Sequence, residues 1–175
     1  MSVAANFPNP YAGFDERRIQ EWLRLFEFAP GDEELRELLQ REIVAPNVDT
    51  IVERIYGYLY SHQMYVAFLD DGELVERLRR TQAAYLRGFG AGYASRGYFA
   101  RRLAIGMRHF RLGVPLSLFD CAYHKLGEII LSHIPRYLAA ASRDERERLL
   151  SKLLRLDMWL VTEGYKKAQI QGLEA

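Results

Sequence analysis

Apolar residues recur at three- and four-residue spacing along almost the whole chain, and every element this predicts is a helix. Residues 14–27 place Ile19, Trp22, Leu23 and Phe26 on one face, with Asp15 as N-cap. The "APGD" break follows, and Asp32 is expected to cap a second helix with Leu35, Leu38, Leu39 and Ile43 inward. Pro46 suits the first turn of a third helix, running to about residue 62 with Val48, Ile51, Val52, Ile55 and Leu59 on one stripe. The short "QMYVAFL" comes next. A fourth helix starts near Asp71 and puts Leu74, Leu78, Thr81 and Tyr85 on a shared inward face. "GFGAGYASRG" (88–97) breaks it. A fifth helix spans 97–112, Gly113 and Pro115 stop it, and a sixth runs over 115–138. Ser142 with Glu145 three residues later reads as a capping box for a last helix over 143–171. No strand, internal repeat or low-complexity tract is evident. The fold class is all-α, with seven or eight helices in a domain over 14–175 behind a flexible leader, 1–13.

A chain of 175 residues suggests one domain with its own core. A net charge of +1 gives no bulk electrostatic case for nucleic acid or a membrane surface. Cys121 is the only cysteine, so no intramolecular disulfide forms and the cytoplasm is the simplest compartment. No apolar run approaches the roughly 18 residues that would span a bilayer, and "MSVAANFPNPYAGFD" lacks the pattern of a signal peptide. Eleven tyrosines and 9 phenylalanines are many for this length; aromatics fill cores and also line pockets for flat ligands.

Motifs for common chemistries are missing. "GFGAGYASRG" has no strand before it and no βαβ unit around it, so it reads as an interhelical loop rather than a phosphate cradle. There is no HExxH, CxxC or GxSxG. The histidines are His62, His109, His124 and His133, and no two stand four apart as a helical metal clamp does. His62 sits at a helix end, and His124 and His133 read as surface, interface or core residues. His109 differs. Ile105 and Gly106 lie one turn back and Arg102 beyond them. A helix-interior glycine costs about 1 kcal/mol relative to alanine, so Gly106 asks for a reason; one is that something broad approaches the helix there. Periodicity alone leaves His109 open between a packed histidine and a ligand.

Three segments resemble the sensor globins, the haem domains of globin-coupled sensors and protoglobins, over about residues 15–170. "VDTIVERIYGYL" is similar to the family's B helix, and "ELVERLRRTQAAYLRGFGAGY" to its E helix and following loop. "YFARRLAIGMRHFRLGVPLSLFDCAY" is the most specific, being similar to the F helix, a His-x-Arg-[Ile/Leu]-Gly stretch and the start of helix G. The resemblance implies a globin fold with an extra N-terminal helix, a short or absent D helix, and haem b as cofactor. It implies that His109 is the proximal iron ligand, with Gly106 leaving room for the porphyrin and Ile105 beside it. It implies that the Tyr56 hydroxyl donates a hydrogen bond to dioxygen or another diatomic gas, and that Leu78 and Thr81 lie on the distal side. The residue-based alternative for Thr81 is a hydroxyl satisfied by its own i−4 carbonyl. Arg102 matches a basic F-helix residue that would pair with a propionate, or else lies on a solvated face.

The chain departs from the family at Leu118-Phe119, where a Trp-Tyr pair is usual, and at Ile55, where an aromatic residue commonly precedes the tyrosine. Phe119 is expected among the cofactor-binding residues but lacks the hydroxyl. The resemblance further implies a homodimer through helices G and H as a four-helix bundle. The apolar faces of Leu116, Phe119, Tyr123, Leu126, Ile130 and His133, and of Leu149, Leu150, Leu153, Leu156, Trp159 and Leu160, read as wider than one globin core requires. It implies an output signalling module, in cis or in trans, and a binding rather than catalytic role. The alternatives are a haem-free globin-like interaction module, against which His109 argues, and a haem gas carrier or nitric oxide dioxygenase, which would need an electron source.

Overall fold

Asp15 sits in extended backbone and its carboxylate accepts from the Arg18 N–H at 2.8 Å, which starts α1 (Glu16–Leu25) where the sequence predicts it. Ile19 and Leu23 turn inward. Residues 14–173 are described by the computed structural model, so the predicted leader lies outside the described residues. Glu27 ends the first helical segment in the left-handed region, at φ 62°. Asp32 does not cap α2 (Asp32–Leu39) but is its first residue. Its carboxylate accepts instead from the Ala29 N–H at 2.9 Å and from Lys152 Nζ at 3.1 Å.

No loop separates α2 from α3 (Val48–Tyr60). The chain passes through a π-helical turn, Gln40–Val44, and a 3-10 turn, Ala45–Asn47. Pro46 has no N–H to give and its ring crowds the preceding turn, so regular α hydrogen bonding cannot run through it. After α4 (Gln63–Val66), Asp71 caps α5 (Gly72–Arg87) through the N–H groups of Glu73 and Leu74. Gln40 Nε2 donates to the carbonyls of Leu86 and Arg87 at 3.0 and 2.8 Å, satisfying the far end of α5. The glycine-rich stretch is an interhelical loop, with Gly90 and Gly92 at positive φ. Ser95 caps α6 (Arg96–Arg111) through the Tyr98 N–H. α7 (Leu116–Leu131) ends short of the expected 138, since Pro135 interrupts the helical pattern. α8 (Ala140–Leu173) starts earlier than expected. Ser142 therefore lies inside it rather than capping it, and accepts from Arg146.

The architecture is all-α, with no strand among the described residues. α8 is the spine: α6, α7 and α2 lie against it. Leu149, Leu150, Leu153, Leu156 and Leu160 of α8 are at most 2% exposed, and Leu126 and Ile130 of α7 at most 3%. These residues were expected to be in excess of one core. They are consumed by the chain's own core instead, because α8 is covered from several sides. Trp159 joins α1 to α8, its ring centroid 4.0 Å from that of Trp22 and within 6 Å of Phe14 and Phe26. No helix among the described residues is long and apolar enough to cross a membrane.

Gly106 receives its explanation here. α6 and α8 touch backbone to backbone. A Cβ on Gly106 would stand 2.0 Å from the Val161 carbonyl oxygen, and one on Gly164 2.2 Å from the Leu103 oxygen. The glycine faces α8, so the expectation that it leaves space for a porphyrin is corrected. Two small residues permit the close crossing that buries Phe99 and Leu160 completely.

Candidate functional site

His109 lies in the last turn of α6, half-buried. Its Nδ1 stands 2.9 Å from the Ile105 carbonyl oxygen. A carbonyl only accepts, so Nδ1 carries the proton, and Nε2 is left as an acceptor with no partner among the described residues. Burial lowers the ring's pKa below its ordinary 6.5, opposed by the Ile105 bond and assisted by the Arg108 charge. The imidazole is therefore neutral near pH 7. A fixed tautomer, a backbone carbonyl behind one nitrogen and a free lone pair on the other are what a metal-ligating histidine requires.

The surroundings hold this ring in place. The edge of Phe119 meets it, with centroids 4.8 Å apart and planes at 72°. The turn beyond it is fastened twice: the Val114 N–H donates to the His109 carbonyl at 3.1 Å, and the Tyr165 hydroxyl donates to the Val114 carbonyl at 3.0 Å. Ile105 contributes its carbonyl.

Tyr56 is buried on α3, with the Arg79 guanidinium 4.9 Å from its ring centroid. Burial pushes its pKa up to about 12, so the hydroxyl stays protonated. That O–H has no hydrogen-bond partner among the described residues, which leaves an unspent donor on a buried side chain. Leu78 of α5 is half-buried and packs on the core. α5 lies against α3 and α6 against α8. α5 and α6 meet through side chains, with the Arg102 guanidinium carbon 4.5 Å from the Tyr85 ring centroid.

Two expected residues stand elsewhere. Thr81 is exposed rather than on the inward stripe, and its hydroxyl donates to the Arg77 carbonyl at 2.9 Å, the residue-based alternative. α5 is rotated so that Leu78 and Tyr85 face in while position 81 falls outside their arc. Arg102 is neither solvated nor free for a propionate. It is buried, with Nε 3.1 Å from Asp157 Oδ2 and its guanidinium carbon within 4.6 Å of the Tyr85 and Tyr98 ring centroids. The Nε–H does not point along the 3.1 Å contact, which makes it an ion pair without an aligned hydrogen bond. Burial works against the Arg102 charge; Asp157, Tyr85 and Tyr98 outweigh it and raise its pKa, so it remains a cation.

Sequence reasoning missed the acceptor of this arginine. Asp157 on α8 is 1% exposed. The hydroxyls of Tyr85 and Tyr123 each lie 2.9 Å from its Oδ2 and 2.6 Å from each other, and Tyr98 donates to Oδ1. Burial first, then the Asp157 charge, drives all three tyrosine pKa values up, so they remain donors. The available signal was an acid inside the apolar run "LLRLDMWLV" together with the surplus of tyrosine. Two surface clefts, of about 510 and 470 Å³, include neither His109 nor Tyr56 in their linings.

Residues 15–170 match the Protoglobin family. The chain belongs to that family. Among curated relatives, the haem-based aerotactic transducer HemAT of Halobacterium salinarum is 27% identical over 172 residues, a match taking in 92% of this chain and 35% of the relative. The chain thus spans about a third of that protein's length. Among solved structures, the globin domain of the Geobacter sulfurreducens globin-coupled sensor superposes with a TM-score of 0.78 at 22% identity, over 84% of this chain and 97% of that one. The globin domain of E. coli DosC gives 0.71 at 17% identity, over 83% and 98%. The globin fold of this protoglobin domain follows from both superpositions.

Proposed function

We propose that this protoglobin domain binds haem b through His109 and acts as a sensor of a diatomic gas, dioxygen first, rather than as an enzyme. One observation carries the reading: the neutral His109 ring, anchored on the Ile105 carbonyl, has its Nε2 lone pair unpaired. Haem would supply the iron coordination position at which a gas binds. His109 would hold the metal and, through Ile105, keep a fixed tautomer. Tyr56 would donate its unspent O–H to the gas; a donor in a dry setting is worth more than in water and favours a polarisable ligand such as dioxygen over carbon monoxide. Phe119 fixes the ring angle of His109.

The same reading includes a homodimer across α7 and α8 and an output module in cis or in trans. α7 leaves Leu131 exposed, and α8 leaves Leu154 and Met158 half-buried, as surface for a second copy. The cytoplasm is the expected compartment. The test is an absorption spectrum after haem reconstitution in the ferric, ferrous and oxygenated states, beside His109→Ala and Tyr56→Phe. A stoichiometric Soret band in the wild type, its loss in the alanine variant and faster oxygen loss in the phenylalanine variant are expected. Absence of stoichiometric haem in the wild type would overturn the reading in favour of a haem-free interaction module. Light scattering checks the dimer at micromolar concentration.

A further inference from the structure

The Asp157 cluster draws on four helices: Tyr85 from α5, Tyr98 and Arg102 from α6, Tyr123 from α7 and Asp157 from α8. Stability alone is a poor reason for such a site. A buried ion pair seldom outperforms apolar side chains of the same volume, because desolvating both charges consumes most of the attraction. What the cluster has that leucines would lack is direction. Three hydroxyls and a guanidinium must all reach one carboxylate, and each O···O distance tolerates only a few tenths of an ångström.

That directional constraint falls on the helix that bears His109. Tyr98, Arg102, Gly106 and His109 follow one another at spacings of four, four and three on α6, so they form a single stripe. The first two meet Asp157, the third meets the α8 backbone, and the fourth meets Phe119. The Phe119 ring in turn stacks on Tyr123 one turn along α7, with centroids 5.9 Å apart and planes at 15°. Tyr123 returns to Asp157. The circuit closes: His109, Phe119, Tyr123, Asp157, Arg102 and back along α6.

We propose that Asp157, with its three tyrosine partners and Arg102, is a positioning site that fixes the rotation and height of α6 on α8, and thereby aims the free Nε2 of His109. The role of that nitrogen rests on the haem reading above; the hold on α6 does not. Asp157→Asn keeps the shape of the side chain but replaces one acceptor oxygen with a donor amide facing hydroxyl donors. Tyr123→Phe removes one hydroxyl and leaves the ring stack, and it decides the matter if Asp157→Asn does not fold.

Hydrogen exchange of the apo protein is read first, then the iron–histidine stretching band of the reconstituted ferrous protein by resonance Raman. The expected result is exchange accelerated by about tenfold in α6 with α3 unchanged, and a shifted or split iron–histidine band. Exchange in α6 equal to wild type, or raised uniformly along the chain with an unmoved band, would overturn the proposal and leave the cluster as ordinary core. A wild type that takes up no haem removes the proposed function while the α6 exchange still decides the positioning role.

Discussion

Gly106→Ala is the substitution for which helix propensity and tertiary packing disagree most sharply. In an isolated helix, alanine would gain about 1 kcal/mol over glycine. Here the new methyl carbon would stand 2.0 Å from the Val161 oxygen and 2.9 Å from its carbonyl carbon. Both are backbone, so no side chain can swing aside. Restoring ordinary contact requires α6 and α8 to part by roughly 1 Å or more, and a gap of about that size already forfeits a quarter to a half of each dispersion contact across it. The contacts at risk include those of Phe99, Leu160 and Val161, all at most 2% exposed. Overpacking of this kind typically costs about 1–3 kcal/mol. Because the obstacle is backbone, the net loss is placed at about 2 kcal/mol or more, which lowers Tm by about 4–8 °C for a chain of this size.

Gly57→Ala is the matched control. It lies inside α3, and nothing stands within 4 Å of where its Cβ would go. It should gain about 0.5–1 kcal/mol. Thermal unfolding of the haem-free proteins, followed by circular dichroism with urea titration alongside, separates the two. A Gly106→Ala protein as stable as wild type, beside a stabilised Gly57→Ala, would refute the crossing argument and return Gly106 to the role of making room for a ligand.

Other outcomes follow from the same contacts. Thr81→Val should leave oxygen dissociation unchanged and move stability by no more than about 0.5 kcal/mol, since the hydroxyl is exposed and bonded within its own helix; altered oxygen release, measured by stopped flow, would restore Thr81 to the distal side. Arg102→Leu should cost about 3–5 kcal/mol by urea unfolding, because it removes the cation paired with the buried Asp157 carboxylate and leaves that charge with hydroxyl donors alone; a loss under 1 kcal/mol, about the worth of a surface pair, would mean water reaches the cluster. His109 has a depressed folded-state pKa, so the unfolded chain binds more protons as pH falls below 6.5. Its contribution is complete above 6.5 and lost as pH drops through the lower folded value. The stability of the haem-free wild type relative to His109→Gln should therefore shrink as pH falls below 6.5, and a difference that stays constant through that fall would mean the ring is not buried neutral.

The helices were legible where a residue's reason is local. Asp15 caps as predicted and α5 starts at Asp71 where expected, because an N-cap needs only its own carboxylate and two or three N–H groups nearby in sequence. Ser142 failed because a capping box shows that a helix can begin at a residue, not that the preceding turn declines to join it. Pro46 lies in the 3-10 turn just ahead of α3 rather than in its first turn, and the π-helical turn before it was missed, since the pattern around Gln40–Val44 is apolar at helical spacing whether its hydrogen bonds reach four residues back or five.

The site divides along the same line. His109 stood out because its neighbours in sequence carry a recognisable pattern, and its Nδ1 partner, Ile105, is four residues away on the same helix. Gly106 and Arg102 were noticed for sound reasons and given the wrong partners. A glycine inside a helix reports only that something comes close; here the visitor is the Val161 backbone, 55 residues on in sequence. An arginine on an otherwise apolar face reports only that an anion is somewhere, and the anion is Asp157, on a different helix. Both partners belong to α8, the helix whose apolar width suggested a second copy of the chain. Leu149, Leu150, Leu153, Leu156 and Leu160 of that width serve the chain's own core, and the polar residue among them, Asp157, is bonded to the helix that carries His109. The demand that α8 places on its neighbours is thus the reason for the features of α6 that first pointed toward a ligand.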